Sequence, residues 1–121
     1  VDKSYIRHVT VHESFNRAFT AHGVHRLRIQ NNVAYDVMGH AYFVEDGIET
    51  KNSITHNLGA NTRQSFAGLT VDQTPATYWI VNPDNYIERN IAAGSRLACT
   101  TAYSCNQSLA RSPPPLAQRA R

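Results

Sequence analysis

Residues 1–95 alternate between short apolar runs and clusters of Asn, Gly, His and Asp. Four of the runs align on an isoleucine: YIRHVTV at Ile6, LRIQNNVAY at Ile29, NSITHNLGA at Ile54 and NYIERNIAA at Ile87. Runs of this length with alternating apolar positions are typical of β-strands and are too short for amphipathic helices. The pattern therefore predicts an all-β protein.

The same pattern repeats along the chain. The aligned isoleucines are separated by 23, 25 and 33 residues, and a second strip recurs as AFTAHG, AYFVED and TYWIVN. A repeat of this size with two or three short strands is typical of one coil of a parallel β-helix, in which each strand pairs with a strand of the next coil. The sequence predicts a right-handed parallel β-helix of about four coils. The long third interval indicates an inserted loop at residues 61–75.

Two columns of identical residues support this stacking. The aligned isoleucines are expected to fill the core. An asparagine follows three of them at the same distance, and these asparagines are expected to form a turn ladder in which each side-chain amide bonds to a neighbouring coil. The ladder residues are Asn32, Asn57 and Asn90.

The charge of the chain is unevenly distributed. The formal net charge is +3, but residues 96–121 hold four of the twelve basic residues and none of the nine acidic ones, so residues 1–95 carry a net charge of −1. The repeats therefore lack the basic surface that nucleic-acid binding requires, and no nucleic-acid partner is predicted. No run reaches the length of an apolar membrane span, so no membrane contact is predicted within this segment.

Residues 96–121 break the repeat. The segment RLACTTAYSCNQSLARSPPPLAQRAR has no apolar period and contains a run of three prolines, which cannot donate to a strand ladder. The sequence predicts a β-helix at residues 1–95, followed by a disordered, basic tail at residues 96–121. Cys99 and Cys105 could close a small disulfide loop there, but their spacing matches no zinc or redox motif.

The repeats also resemble a known family. The segments that carry the resemblance are SYIRHVTVHESFNRAF, NNVAYDVMGHAYFVEDGIETKNSITHNLGA, PATYWIVNPDN and NIAAGS, over about residues 4–95. They are similar to the β-helix region of the cell-surface hyaluronidase and fibrocystin-like proteins, which carry a G8 domain beside parallel β-helix repeats of the pectin-lyase-like type. The resemblance implies an extracellular or cell-surface location. It also leads us to expect that this chain is a piece of a larger β-helix protein.

Groups able to perform acid–base chemistry concentrate in the stretch GHAYFVEDGIETKN, residues 39–52. Cleaving a glycosidic bond requires a proton donor and a base or nucleophile, usually two carboxylates. A histidine beside a carboxylate can act as acid or base near neutral pH. The predicted catalytic residues are His40, Glu45 and Asp46.

Stacking the coils at 23 residues brings further side chains to the same region: Arg17 lies over His40, His22 over Glu45, and Gly23 over Asp46. Arginine and asparagine side chains would hold acidic sugars, and exposed aromatic rings would stack on a sugar face. The predicted substrate-binding residues are Arg17, His22, Tyr78, Trp79 and Asn82.

Alternation along this strand should place Tyr42, Val44 and Asp46 on one side and Phe43 and Glu45 on the other. Asp46 and Glu45 can both face outward only if the chain turns at the Asp46-Gly47 dipeptide, whose composition favours a turn.

The residues also leave other interpretations open. The clustered carboxylates could bind calcium together with Asn82 and Asp84, since calcium prefers oxygen ligands, and no other metal site is predicted. His22 and Glu45 could simply neutralise each other across two coils. Glu49 is expected to be a solvated acid in the turn.

These observations lead to one expected function and two alternatives. The leading expectation is an extracellular glycan-handling module, for which the resemblance implies binding or depolymerisation of a polysaccharide such as hyaluronan, as part of a glycoside hydrolase. The first alternative is a non-catalytic repeat scaffold in a fibrocystin-like surface receptor. The second is a fragment with no activity of its own. Because one fold supports many activities, the fold alone does not choose among them.

Overall fold

The computed structural model describes residues 4–66 and 73–95, and the backbone of residues 97–99. This part of the chain forms twelve short strands, three in each of four successive coils. The first coil contains β1 Tyr5–Arg7, β2 Thr10–His12 and β3 Phe19–Ala21. The second contains β4 Arg28–Gln30, β5 Val33–Met38 and β6 Tyr42–Val44. The third contains β7 Ser53–Thr55, β8 Leu58–Arg63 and β9 Ala76–Ile80, and the fourth β10 Tyr86–Glu88, β11 Ile91–Ala93 and β12 Leu97–Cys99.

Corresponding strands of successive coils pair in parallel and build three sheets of four strands. The first sheet has the order β1-β4-β7-β10, the second β2-β5-β8-β11, and the third β3-β6-β9-β12. Three parallel sheets that wind around one core define a parallel β-helix. The predicted all-β fold of about four stacked coils is confirmed. No helix in the described residues is long and apolar enough to cross a membrane.

The alignment on isoleucine gives the register of the first sheet. Ile6 pairs with Ile29, Ile29 with Ile54, and Ile54 with Ile87. Ile29 and Ile54 are buried in the hydrophobic core, and Ile6 and Ile87 pack against that core from the two ends. The residues on either side of each isoleucine point to the outer face of the sheet.

Aromatic rings fill the core behind the third sheet. Phe19, Tyr42 and Tyr78 occupy equivalent places in three coils, and their rings stack with centroid distances of 4.9 and 4.7 Å. The hydroxyl oxygen of Tyr42 lies 3.1 and 3.0 Å from the carbonyl oxygens of Asn32 and Leu58, so the hydroxyl can donate to either of them. The stack thus fills space and also serves buried backbone carbonyls at the far side of the core.

The turn between the first and second sheets repeats in every coil. Its first residue has a positive φ, between 54° and 58°, at His8, Asn31, His56 and Arg89. In three coils the next residue is an asparagine of the predicted ladder, and this ladder is confirmed by side-chain bonds of 2.7–3.0 Å between coils. A second ladder, which was not predicted, joins Asn52 and Asn85 at the turn before the first sheet.

The predicted inserted loop falls between β8 and β9. Successive strands of the third sheet are offset by 23 residues from β3 to β6, where Tyr42 pairs with Phe19, and by 36 from β6 to β9, where Tyr42 pairs with Tyr78. Residues 67–72 of this loop lie outside the described residues. In the predicted tail, β12 pairs with β9 of the third sheet, whereas the side chain of Cys99 and the whole of Cys105 lie outside the part of the chain that is described.

Candidate functional site

The predicted site residues gather around β6 and the turn that follows it. Within β6, Tyr42 and Val44 belong to the core, whereas Phe43 lies on the outer face of the third sheet between Thr20 and Trp79 of the neighbouring strands. The predicted alternation is therefore confirmed for Tyr42, Phe43 and Val44, whereas Asp46, expected on the side of Tyr42 and Val44, lies beyond the strand and is exposed. The outer face of the third sheet, beside the turn after β6, is the first of two candidate surfaces.

Phe43 is fully buried although it points away from the core. The guanidinium carbon of Arg17 lies 3.7 Å from the centroid of its ring, within cation–π range. The ring of His40 stacks on Phe43 at 4.9 Å, and Trp79 lies 4.8 Å from the ring of His40. Three of the predicted residues, Arg17, His40 and Trp79, thus form one cluster, and the half-buried Arg17 and Trp79 form its outer surface.

His40 has no exposed surface. Its Nδ1 accepts a hydrogen bond of 3.0 Å from the backbone N–H of Ala76, the first residue of β9. An acceptor nitrogen carries no proton, so in the neutral ring the proton resides on Nε2. The residue expected to act as a catalytic acid or base is therefore enclosed, and one of its two ring nitrogens is committed to the backbone.

Tyr78 lies on the opposite side of its strand from Trp79, in the core stack. Its hydroxyl oxygen is 2.9 Å from the carbonyl oxygen of Asn57 and 3.1 Å from that of Ile91. Burial raises the pKa of Tyr78, and the neighbouring Tyr42 raises it further. Tyr78 is therefore not an exposed platform for a sugar ring, because the alternation that turns Trp79 outward turns Tyr78 inward.

The turn after β6 brings a different carboxylate to His22 than the 23-residue register implied. Nδ1 of His22 lies 3.0 Å from Oδ2 of Asp46, and both side chains are exposed. Glu45, the residue expected beneath His22, is partly buried. Strand β6 ends at Val44, so strand register no longer fixes the positions of Glu45 and Asp46, and the chain then turns at Gly47, where φ is +79°.

The carboxylate of Glu49 completes a small cluster with His22 and Asp46. One ligand atom from each residue lies within 4.8 Å of the others, so among the described residues these three side chains form the group that could hold a metal ion. The pKa of Asp46 is lowered, mainly by its hydrogen bond with His22. We call His22, Asp46 and Glu49 the acidic cluster.

Glu49 was expected to be a solvated acid in the turn, and this prediction is wrong. It is fully buried, and its Oε1 accepts a hydrogen bond of 3.0 Å from the backbone N–H of Gly23 in the preceding coil. The spacing of 26 residues between Gly23 and Glu49 lies outside the 23-residue register, so counting along the sequence does not reveal the contact.

Asn82 supports the same turn from the next coil. Its Nδ2 donates a hydrogen bond of 2.7 Å to the carbonyl of Gly47, and its Oδ1 accepts one of 2.8 Å from the N–H of Asp84. The side chain that was expected to bind substrate thus holds the turn carrying Asp46. Asp84 is not one of the residues of the acidic cluster.

A second candidate surface lies on the outer face of the first sheet. A polar groove of about 360 Å³ crosses three successive coils there, from β4 through β7 to β10. Its lining residues are Gln30, Asn31, Ser53, Thr55, His56, Tyr86 and Glu88. We call this surface the first-sheet groove.

The first-sheet groove contains one exposed aromatic ring. Tyr86 is 58% exposed, and its hydroxyl donates a short hydrogen bond to Glu88. Arg28 pairs with Ser53 across β4 and β7, at the edge of the groove, and its partly enclosed guanidinium has an Nε that makes no hydrogen bond among the described residues. The sequence contained a signal for this groove, because its strand residues flank the aligned isoleucines.

Comparison with known proteins identifies relatives of this arrangement. The sequence profile of the CEMIP β-helix matches residues 1–113. Mouse (Mus musculus) fibrocystin-L is 46% identical over 92 residues, which cover 76% of this chain and 2% of that protein. Human (Homo sapiens) cell surface hyaluronidase CEMIP2 is 32% identical over 117 residues, covering 77% of this chain and 8% of that protein.

A third relative is a G8 domain-containing protein of Dictyostelium discoideum, 36% identical over 112 residues that cover 78% of this chain and 8% of that protein. The chain thus spans less than a tenth of each of these relatives.

Proposed function

Because the chain belongs to the CEMIP β-helix family, we propose that it is a glycan-binding module of an extracellular or cell-surface protein, with hyaluronan as its polysaccharide. One relative is named a cell surface hyaluronidase, which supports both the location and the ligand. The first-sheet groove is the proposed binding surface.

The observation that carries this proposal is the path of the groove across three coils. Equivalent strands of neighbouring coils are about 4.8 Å apart, so side chains at the same position form a row perpendicular to the strands. A linear polymer lying along such a row meets a polar group in each coil. One row is Arg28, Ser53 and Tyr86, and the other is Gln30, Thr55 and Glu88. Amide and hydroxyl groups of this kind can both donate to and accept from the hydroxyls of a sugar.

Charge at the edge of the groove favours an acidic polysaccharide. Arg28 lies beside Ser53 and forms no ion pair with the described residues, so its guanidinium can receive the carboxylate of a uronic acid. Glu88 is the acid of the groove, and its charge is opposed by Arg89 at 3.3 Å. The half-exposed ring of Tyr86 offers a face on which a sugar ring can stack.

Binding without cleavage fits these positions better than hydrolysis. Hydrolysis needs two accessible acid–base groups on either side of a glycosidic bond. His22 and Asp46 are accessible, but they are bonded to each other at 3.0 Å, lie in the turns after β3 and β6, and do not line the groove. His40 is enclosed. Depolymerisation in a full-length protein would then need residues from outside this segment.

A second candidate function is that of a non-catalytic scaffold in a fibrocystin-like surface protein. The observation that favours it is the identity to fibrocystin-L, 46%, against 32% for the hyaluronidase. In that case the chain serves only to build the β-helix, which the asparagine and isoleucine columns stabilise. The groove would then be a gap between side chains of different size and would bind no ligand.

Titration of hyaluronan oligosaccharides into the full chain, followed by calorimetry, distinguishes the two functions. We expect Tyr86→Ala and Arg28→Gln each to weaken binding by about tenfold or more, because a stacked ring or a charge-assisted hydrogen bond contributes about 1–3 kcal/mol. The matched controls are on the second sheet: Tyr35→Ala, which removes another half-exposed tyrosine, and Arg63→Gln, which removes another strand arginine.

Three results would decide against the proposal. Absence of binding by the unmodified chain favours the scaffold. Equal loss in the groove and control variants means that the groove is not the binding surface. Shortening of hyaluronan during incubation, measured from its chain length, means that this segment cleaves as well as binds. Using chelator-treated protein throughout keeps these outcomes independent of any bound metal.

A further inference from the structure

The acidic cluster has an electrostatic imbalance that the proposed glycan function does not explain. The carboxylate of Glu49 lies within 4.8 Å of ligand atoms of both Asp46 and His22. Two carboxylates at such a distance repel each other unless a proton or a cation lies between them.

Glu49 supplies an independent indication that something binds here. Its side chain is fully buried, and Oε1 is satisfied by the backbone N–H of Gly23. Oε2 is also buried, yet it makes no hydrogen bond with any described residue. A buried carboxylate oxygen without a partner is costly, and buried charges are normally paired or coordinate a metal.

We propose that His22, Asp46 and Glu49 bind one divalent transition-metal ion of the Zn²⁺ type. The ion would link two successive coils, because His22 follows β3 in the first coil and both carboxylates follow β6 in the second. This site lies in the turns that follow the third sheet and does not depend on glycan binding at the first-sheet groove.

The donor set selects the class of ion. Zn²⁺ and related transition metals accept one imidazole nitrogen together with carboxylate oxygens, whereas Ca²⁺ and Mg²⁺ favour oxygen ligands alone. The imidazole Nδ1 is directed at Asp46 and is therefore correctly placed to act as a ligand. The proposed zinc site therefore differs in both metal and ligands from the calcium site that the sequence suggested, which included Asn82 and Asp84.

The geometry permits a shared ion with small adjustments. Zn²⁺ ligands lie about 2.0–2.2 Å from the metal, which places neighbouring ligand atoms roughly 3–3.5 Å apart. The pair His22 Nδ1 and Asp46 Oδ2 is already at 3.0 Å. Both of these side chains are exposed and can rotate, whereas Glu49 is fixed by its bond to Gly23. A fourth position would remain open to water.

The test compares the melting temperature of chelator-treated full chain with and without added Zn²⁺ or Ca²⁺, and measures stoichiometry by calorimetry. We expect one Zn²⁺ per chain and a rise in melting temperature of roughly 10 °C at a hundredfold excess over Kd. Ca²⁺ should produce little or no rise. Asp46→Asn and His22→Gln should each weaken Zn²⁺ binding by at least about tenfold.

Two further variants separate this site from non-specific zinc binding by histidine. His25→Gln removes an exposed histidine from the same side of the coil, where it bonds to Thr50 outside the acidic cluster, and should leave the zinc response intact. Glu49→Gln keeps an acceptor for Gly23 but removes the buried charge. It should abolish the zinc response without lowering the melting temperature of the metal-free protein.

The proposal is overturned if Zn²⁺ leaves the melting temperature of the unmodified chain unchanged, which would mean that the carboxylates share a proton. It is equally overturned if His22→Gln and Asp46→Asn retain the full response, or if Ca²⁺ stabilises as strongly as Zn²⁺. Should Glu49→Gln fail to fold, the two exposed variants still decide the question.

Discussion

The side-chain oxygen of Asn57 lies 3.0 Å from the backbone nitrogen of Asn32 and 3.0 Å from its side-chain nitrogen. The side-chain nitrogen of Asn57 in turn donates to the carbonyl of Ile29 at 2.8 Å. Asn90 repeats the first pair of contacts on Asn57 from the following coil. Each asparagine therefore satisfies buried backbone groups of the coil before it, at a turn where strand pairing is interrupted.

Replacing Asn57 with alanine should destabilise the β-helix by about 3 kcal/mol. The substitution leaves the N–H of Asn32 and the carbonyl of Ile29 without partners, and the side-chain amide of Asn32 keeps only its bond to Ile6. Each unsatisfied buried group costs about 1–3 kcal/mol. The free energy of unfolding from a urea titration measures the effect. The control is Thr20→Ala at an exposed strand position, where we expect a change of no more than about 0.5 kcal/mol. Similar losses in both variants would contradict a special role for the ladder.

The isoleucine and asparagine columns could be predicted from the sequence for a physical reason. An interior position of a β-helix meets the equivalent position of the next coil, so the same side chain suits both and recurs at the coil spacing. Ile29 and Ile54, and likewise Asn32 and Asn57, are 25 residues apart in sequence and adjacent in space. Periodicity along the sequence therefore gives the register directly.

The candidate site could be predicted only in part, because it lies at turns rather than on strands. The chain leaves β6 after Val44, and in the turn beyond it Asp46 rather than Glu45 meets His22. Glu49 reaches back across 26 residues to the N–H of Gly23, a contact that no repeat encodes. Strand alternation separates Tyr78 from Trp79, but the sequence alone did not establish which of the two sides faces the core.

Gly59→Ala should also destabilise the protein, by about 1–3 kcal/mol or more, through overpacking. A Cβ atom at Gly59 would lie 2.1 Å from Cγ2 of Thr77, which is itself buried. The second substitution Thr77→Ser removes that methyl group and keeps the hydroxyl that faces Thr62 at 3.2 Å. The double variant should therefore recover much of the lost stability in a double-mutant cycle.

Gly23→Ala provides the contrast to Gly59→Ala. No atom lies within 4 Å of a Cβ at Gly23, but φ there is +58°, so the cost is the backbone strain of about 1–2 kcal/mol alone. Thr77→Ser should not relieve it. Additive effects of Gly59→Ala and Thr77→Ser would contradict the steric explanation.

High pH should unfold the β-helix through its core tyrosines. Burial raises the pKa values of Tyr42 and Tyr78 above the value of about 10 in an unfolded chain. A raised pKa means that the folded state holds these protons more tightly. Stability should then be independent of these groups below pH 10 and fall above it, by about 1.4 kcal/mol per pH unit for each tyrosine.

Ultraviolet absorbance and circular dichroism during an alkaline titration measure both parts of this prediction. Tyr42 and Tyr78 should ionise only when the protein unfolds. Tyr42→Phe should make the free energy of unfolding fall less steeply above pH 10, by about 1.4 kcal/mol per pH unit, because one of the two buried phenols is removed. Ionisation of all tyrosines in a still folded protein would show that the core rings are accessible to solvent.

Replacing His40 with alanine should impair folding rather than glycan binding. The ring is enclosed between Phe43 and Trp79, and its Nδ1 receives the N–H of Ala76 where the chain re-enters the third sheet. Removing the ring creates a cavity and leaves that N–H buried without its acceptor, so we expect a loss of about 3 kcal/mol. His40→Asn should recover part of it, because an amide oxygen can take the place of Nδ1.

The exposed His25→Ala is the matched control for His40→Ala, with an expected change of about 0.5 kcal/mol or less in the free energy of unfolding. Hyaluronan affinity is measured on the folded fraction of each variant, at a temperature below its melting transition. If His40 were an accessible acid or base, replacing it would preserve the free energy of unfolding and abolish glycan binding or cleavage. That result for His40→Ala would assign the residue to function. An unchanged affinity with a lower melting temperature assigns it to the junction between β6 and β9, where its ring fills the outer face of the sheet and its Nδ1 fixes the start of the strand.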